Sequence, residues 1–220
     1  MYKDLSSALS ARGVTLVVVS KTQPAERLLE LYRLGQRHFA ENRVQELLEK
    51  QSQLPKDIHW HLIGHLQTNK VKFIAPFVHL IHSVDSLRLL LEINKQAALA
   101  GRVIDCLLQF HIAEEETKFG LDLPEARQIL QSEAYAQLHH VRLCGVMGMA
   151  SFSDDTRQVQ AEFEALRQIF KQLKQAFFPE APYFKEISMG MSGDWELAVA
   201  AGSTMVRVGT AIFGGRAYLA

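Results

Sequence analysis

The feature of this sequence that most restricts its fold is an alternation repeated eight times. Short apolar runs rich in β-branched residues are each followed by a segment of helical periodicity. Residues 14–19 read Val-Thr-Leu-Val-Val-Val, the pattern of a strand buried on both faces. Further strands are expected near 38–40 and over 59–63, 78–82, 104–112, 141–149, 183–189 and 204–208. Between them fall helices predicted at 25–34, 43–51, 67–75, 86–100, after Asp122 and Pro124, over 159–177 and at 194–201. Gly35, Gly101 and Gly202 stand where helix-ending residues belong, and Asp85 stands as a helix N-cap. The helix over 159–177 is the clearest, because Val159, Phe163, Leu166, Phe170, Leu173 and Phe177 form one apolar face. Eight strands alternating with helices imply an α/β fold with a parallel sheet, and the number eight favours a closed (β/α)8 TIM barrel over an open sheet. Residues 3–11 are expected to cover the bottom of that barrel.

The chain has 220 residues, and one barrel domain spanning 1–220 uses nearly all of them. Its 24 basic and 24 acidic side chains cancel, which argues against nucleic acid, whose binders carry a cationic surplus. Apolar runs fall far short of the ~20 residues of a membrane helix. The start, Met1-Tyr-Lys-Asp-Leu-Ser-Ser, lacks the apolar region of a secretory signal. Cys106 and Cys144 each lie in an apolar segment, so a reducing, cytoplasmic setting without disulfides is expected. The balanced surface favours a monomer.

In such barrels function gathers at the C-terminal ends of the strands. Lys21 ends the first strand. An amine held against apolar walls loses charge stabilisation and becomes a nucleophile towards carbonyls, the alternative being a strand-end lysine that reaches solvent. After the eighth strand come Gly209 and Thr210, and the preceding loop carries Ser188, Gly190, Ser192 and Gly193. Two neighbouring loops with glycines and hydroxyls suit a phosphate, although the glycines alone could serve tight turns. Arg207 alternates with Val206 and Val208, so it faces the barrel interior, where a guanidinium needs a partner. A nucleophilic lysine, a phosphate corner and an inward arginine together suggest pyridoxal phosphate.

Five ordered motifs then carry a resemblance: Val19-Ser-Lys21-Thr, Glu41-Asn42-x-Val-Gln-Glu46, Trp60-His61-x-Ile-Gly64-x-Leu-Gln-x-Asn-Lys70, Ser188-Met-Gly-Met-Ser192-x-Asp194 and Ser203-Thr-Met-Val-Arg207-x-Gly-Thr210. Across the whole chain the sequence resembles the pyridoxal phosphate homeostasis protein family, a single-domain relative of the alanine racemase N-terminal barrel. The resemblance implies that Lys21 holds the cofactor as a Schiff base. It places Ser192, Gly209, Thr210 and, less centrally, Ser188 at the phosphate, and Arg207 at the pyridine nitrogen. Asn42 and Met147 would line the ring, with His61 facing the interior. It further implies a non-enzymatic role in intracellular vitamin B6 homeostasis, with pyridoxal-phosphate-dependent apoenzymes as recipients. Ala40, Arg43 and Trp195 depart from the family's usual residues, and the short stretch before the first strand puts a full leading helix in doubt.

Three other readings compete. An amino-acid racemase would use the same lysine, with Lys118 as a stand-in base, but the length leaves no room for the second domain of a racemase. A phosphosugar epimerase or aldolase would use the same phosphate corner without a cofactor. Zinc is suggested by His59 and His61, which alternate on one strand face with His65 shortly beyond, but a zinc site needs a third ligand and an open position in the right geometry, so no metal is expected.

Overall fold

The computed structural model describes residues 1–114 and 119–214. Lys118 lies outside the described residues. Eight strands, β1 (Thr15–Val19), β2 (His38–Glu41), β3 (His59–Leu62), β4 (Leu80–Val84), β5 (Ile104–Phe110), β6 (Val141–Gly148), β7 (Glu186–Ser188) and β8 (Met205–Val208), pair in parallel, and β8 closes on β1. The helices are α1 (Tyr2–Ser10), α2 (Ala25–Arg33), α3 (Val44–Gln53), α4 (Val71–Ile74), α5 (Leu87–Leu99), α6 (Leu123–Gln131), α7 (Glu133–Ala136), α8 (Thr156–Phe177), α9 (Trp195–Ala200) and α10 (Thr210–Phe213). This is the (β/α)8 barrel that the alternation predicts.

Period-two alternation divides each strand between two apolar layers. Leu16, Val18, Phe39, Leu62, Ile81, Leu108, Val146, Val206 and Val208 pack outward against the helices. Val17, Ala40, Leu80, Leu107, Cys144, Met147 and Met205 form a separate cluster inside the barrel. The leading helix is present as α1, and its Leu5 and Leu9 join the outer layer.

Local differences have local causes. The fourth strand begins two residues later than its composition suggests, because the Val78 N–H still bonds the Ile74 carbonyl at 2.8 Å. A two-residue offset keeps every side chain on its expected face. The helix expected over 67–75 divides into a 3-10 turn, Thr68–Lys70, and the single turn α4. The seventh strand contracts to three residues, and Phe184 before it stacks on Phe178 with ring centres 4.1 Å apart. Ser86, one residue past Asp85, caps α5 by accepting the Leu89 N–H. Asp122 and Glu125 form a reciprocal capping box on α6.

Strands β5 and β6 shift register between Cys106 and Leu107, where Leu107 comes opposite Gly145. Gly145 has φ +154°, and a Cβ there would lie 1.8 Å from the Glu186 carbonyl oxygen. Only glycine permits β6 and β7 to meet at that point. Gly145→Ala is therefore expected to cost at least about 3 kcal/mol in urea unfolding, and a loss below about 1 kcal/mol would contradict this account of the bulge.

Candidate functional site

The loops after β1, β2, β7 and β8 leave the barrel at the same mouth, and closure makes β1 the neighbour of both β2 and β8. Lys21, half-buried directly after β1, thus lies between the loops carrying Asn42 and Gly209. A Cβ on Gly209 would lie 2.8 Å from the Val19 carbonyl oxygen, which shows how tightly the β8 exit presses on the β1 exit.

At the β8 exit three donors converge on one oxygen. The backbone N–H groups of Gly209 and Ala211 each donate to Ser192 Oγ at 3.3 Å, and the Thr210 hydroxyl donates to it at 3.2 Å. Ser192 comes from the β7–α9 loop, where the Met191 N–H donates to the Asp194 carboxylate and Gly190 adopts φ +96°. A cluster of donors around a single oxygen has the chemistry of an anion cradle. The sequence expectation for Ser192, Gly209 and Thr210 thus meets a compact arrangement.

Arg207 lies inside the barrel with 3 % of its surface exposed. Its Nη1 donates to Ser188 Oγ at 2.6 Å and its Nη2 to the Gly148 carbonyl at 2.9 Å. Burial lowers its pKa to about 10, opposed by the field of Asp194, so the guanidinium stays cationic at neutral pH. The hydrogen bonds of Ser188 lie on the arginine side of the site. Its hydroxyl serves Arg207 and lies 3.0 Å from His82 Nδ1, within the barrel, whereas the hydroxyls at the corner are those of Ser192 and Thr210. Met147 is fully buried in the interior cluster, and Asn42 is half-buried just beyond β2, its backbone packed against Gly64. His61 does face the interior, but it reaches Arg207 only through His82, 2.9 Å away, and Ser188.

Other residues around the site, several of them inside the motifs, have no role assigned from the sequence. Glu41, fully buried at the end of β2, accepts the Ser20 hydroxyl at 2.7 Å and the Lys50 ammonium at 2.6 Å. Lys50 also donates to the Ser20 carbonyl, so α3 grips the residue before Lys21. Burial outweighs the attraction of Lys50 and pushes the Glu41 carboxyl up to about 7, and its second oxygen has no partner among the described residues. Glu46 accepts the Thr22 N–H at 2.8 Å, and Thr22 is the one non-glycine with positive φ among the described residues, at +64°. A β-branched residue is strained there. The Lys21 turn is thus held from both sides by α3. Behind β6, buried Glu162 of α8 binds the N–H and hydroxyl of Ser151 and anchors the loop that follows Gly148.

A barrel with an amine, an anion cradle and a buried guanidinium at its C-terminal mouth falls in the class of the alanine racemase N-terminal domain, whose family model matches residues 2–217. Alanine racemase from Clostridium difficile shares the fold at 14% identity, with TM-score 0.73 over 94% of this chain and 57% of that one. Nearer relatives define the family. A pyridoxal phosphate homeostasis protein of Escherichia coli strain K12 is 39% identical over 217 residues, 95% of this chain and 88% of that protein. Its counterpart in Aquifex aeolicus is 38% identical over 204 residues, 92% and 87% of the two chains. PipY of Synechococcus elongatus, at 39% identity, superposes with TM-score 0.86 without PLP and 0.83 with PLP bound, each over 96% of this chain and 99% of PipY. The chain belongs to the pyridoxal phosphate homeostasis protein family.

The Glu41–Lys50 pair makes the site testable as a folded unit. Lys50→Met leaves a buried carboxylate without its cation and is expected to cost about 3–5 kcal/mol in denaturant unfolding. Because the folded-state pKa of Glu41 is raised, its contribution is present at acid pH and is lost as pH rises from the ordinary carboxylate range through about 7. Glu41→Gln is expected to flatten the stability profile over that window. Parallel profiles for the variant and the parent would contradict this.

Proposed function

We propose that the chain binds pyridoxal phosphate, with Lys21 as covalent anchor, and serves intracellular homeostasis of the cofactor without turning over a substrate. The observation that carries the reading is the convergence of Gly209, Thr210 and Ala211 donors on one oxygen beside the exit of the Lys21 strand. In this reading those three donors, which meet at Ser192 Oγ, are the groups that a phosphate oxygen would engage at the same corner. The names of the relatives and the PLP-bound form of PipY support the same ligand.

Pyridoxal phosphate supplies an aldehyde that condenses with a primary amine and a pyridine ring that can withdraw electrons from the resulting adduct. The residues of this chain restrain the second property. Arg207, cationic in its buried position, presents N–H donors towards the pyridine nitrogen in this reading and disfavours a proton there. Its own position is fixed by Ser188 and Gly148. His82, held neutral by burial and by the neighbouring guanidinium, brings no competing cation. Asn42 and Met147 line the ring, while Ser192, Gly209 and Thr210 retain the phosphate. Lys21 is kept in place by the turn that Glu46 and Lys50 brace. A ring so held is a poor electron sink, which suits a protein that stores the cofactor and yields it unchanged. This reading takes the chain as one barrel domain over residues 1–220, monomeric and cytoplasmic, with apoenzymes as recipients. No helix among the described residues is long and apolar enough to cross a membrane.

Purified protein mixed with pyridoxal phosphate is expected to gain a visible absorption band. Borohydride should abolish that band and fix one adduct per chain on Lys21, located by peptide mass mapping. Lys21→Ala should lose both band and adduct while remaining folded. An adduct of equal yield on another lysine, or no uptake by the parent protein, would overturn the assignment.

A further inference from the structure

The opposite mouth of the barrel carries a feature that cofactor binding does not use. His38 and His59 open β2 and β3, and His79 immediately precedes β4, so parallel register brings three histidines to the N-terminal rim. His61, one inward position further along β3, closes the group from below. One ligand atom from each of His38, His61 and His79 lies within 4.8 Å of the other two. The ring centres of these three residues form a nearly equilateral triangle with sides of 5.2, 5.3 and 5.7 Å.

That triangle has the dimensions of a metal site. Imidazoles bound tetrahedrally through nitrogens about 2.0–2.1 Å from an ion have ring centres about 5 Å apart. His38 Nδ1 and His61 Nε2 already face one another at 2.9 Å, so an ion between them needs only a small opening of the pair. The remaining nitrogens of both rings have partners of the kind that orient ligating histidines. His61 Nδ1 lies 2.9 Å from His82 Nε2, and His82 Nδ1 lies 3.0 Å from Ser188 Oγ. His38 Nε2 lies 3.4 Å from His59 Nδ1. With His61 Nδ1–H donating to His82 and His38 Nε2–H donating to His59, His61 Nε2 and His38 Nδ1 would both turn lone pairs towards an ion, which then replaces the direct contact between them. His61 is buried, whereas His79 opens to solvent, which gives an ion its path of entry and leaves room for water as a fourth ligand.

We propose that His38, His61 and His79 form a binding site for a divalent first-row transition ion of the zinc class at the N-terminal mouth of the barrel. Three imidazoles suit zinc, copper or nickel and are poor ligands for magnesium or calcium. The site depends on β2, β3 and the residue entering β4, and it is separate from Lys21 and the anion cradle at the other end.

The test uses the full chain without a histidine tag, freed of metal by a chelator and titrated with Co2+ as a visible probe of tetrahedral coordination. One ion per chain should bind with a ligand-field band and be displaced by Zn2+. Zn2+ should also raise the thermal midpoint. His38→Gln and His79→Gln are each expected to weaken Co2+ binding by at least about tenfold, while the surface substitution His139→Gln leaves it unchanged. Circular dichroism verifies that each variant is folded, and His79, at the rim, is the substitution least coupled to the core. Failure of the parent chain to bind one ion saturably, or binding unchanged in folded His79→Gln, would overturn the proposal.

Discussion

A guanidinium enclosed in a closed parallel barrel is the constraint around which the upper half of this structure is arranged. Arg207 is held by a serine hydroxyl and a backbone carbonyl, and burial raises the cost of its charge. Those two bonds tie β8 to β7 and to the end of β6, and its own N–H bonds the Gly190 carbonyl and sets the course of the loop bearing Ser192. His82, one hydroxyl away, is held neutral by its burial and, after that, by this charge. The guanidinium thus acts as a strut for three strands and, in the proposed reading, as the positive floor of the cofactor site.

The Lys21 end is stabilised from a different direction. Helix α3 sends Glu46 to the strained Thr22 and Lys50 to the carbonyl of Ser20, while buried Glu41 binds both Lys50 and Ser20. The lysine backbone is thereby over-determined although its side chain is half exposed. That arrangement holds an amine in one place yet leaves it accessible, as the proposed reversible capture and release of an aldehyde require.

What could be read from one sequence was whatever is local to a strand. Alternation within 205–208 places Arg207 inward between Val206 and Val208, and a lysine two residues past the end of 15–19 places Lys21 at the mouth. What could not be read depends on register between strands or on helices packing behind loops. Ser188 looks like a phosphate ligand beside Ser192, but its position on β7 puts its hydroxyl under Arg207. Glu41 stands in one of the five motifs, but its partner Lys50 lies nine residues on and outside any motif, and the two meet only when α3 folds over the β1 exit. The histidines are the plainest case. His65 follows His61 closely in sequence, yet it leaves the group to stack on Phe119 and meet Asp85, and His38 and His79 arrive from neighbouring strands.

The two ends of the barrel therefore carry separate chemistry on one frame, with His61, His82 and Ser188 running between them. The central claim, that the donors at the β8 exit form a phosphate cradle next to the lysine anchor, is tested most directly by a crystal structure of the protein loaded with pyridoxal phosphate. The account predicts electron density continuous with Lys21 Nζ, and a phosphate oxygen in the place of Ser192 Oγ between the Gly209 and Ala211 N–H groups and the Thr210 hydroxyl. A ligand bound elsewhere, with Ser192 still holding those three donors, would contradict it.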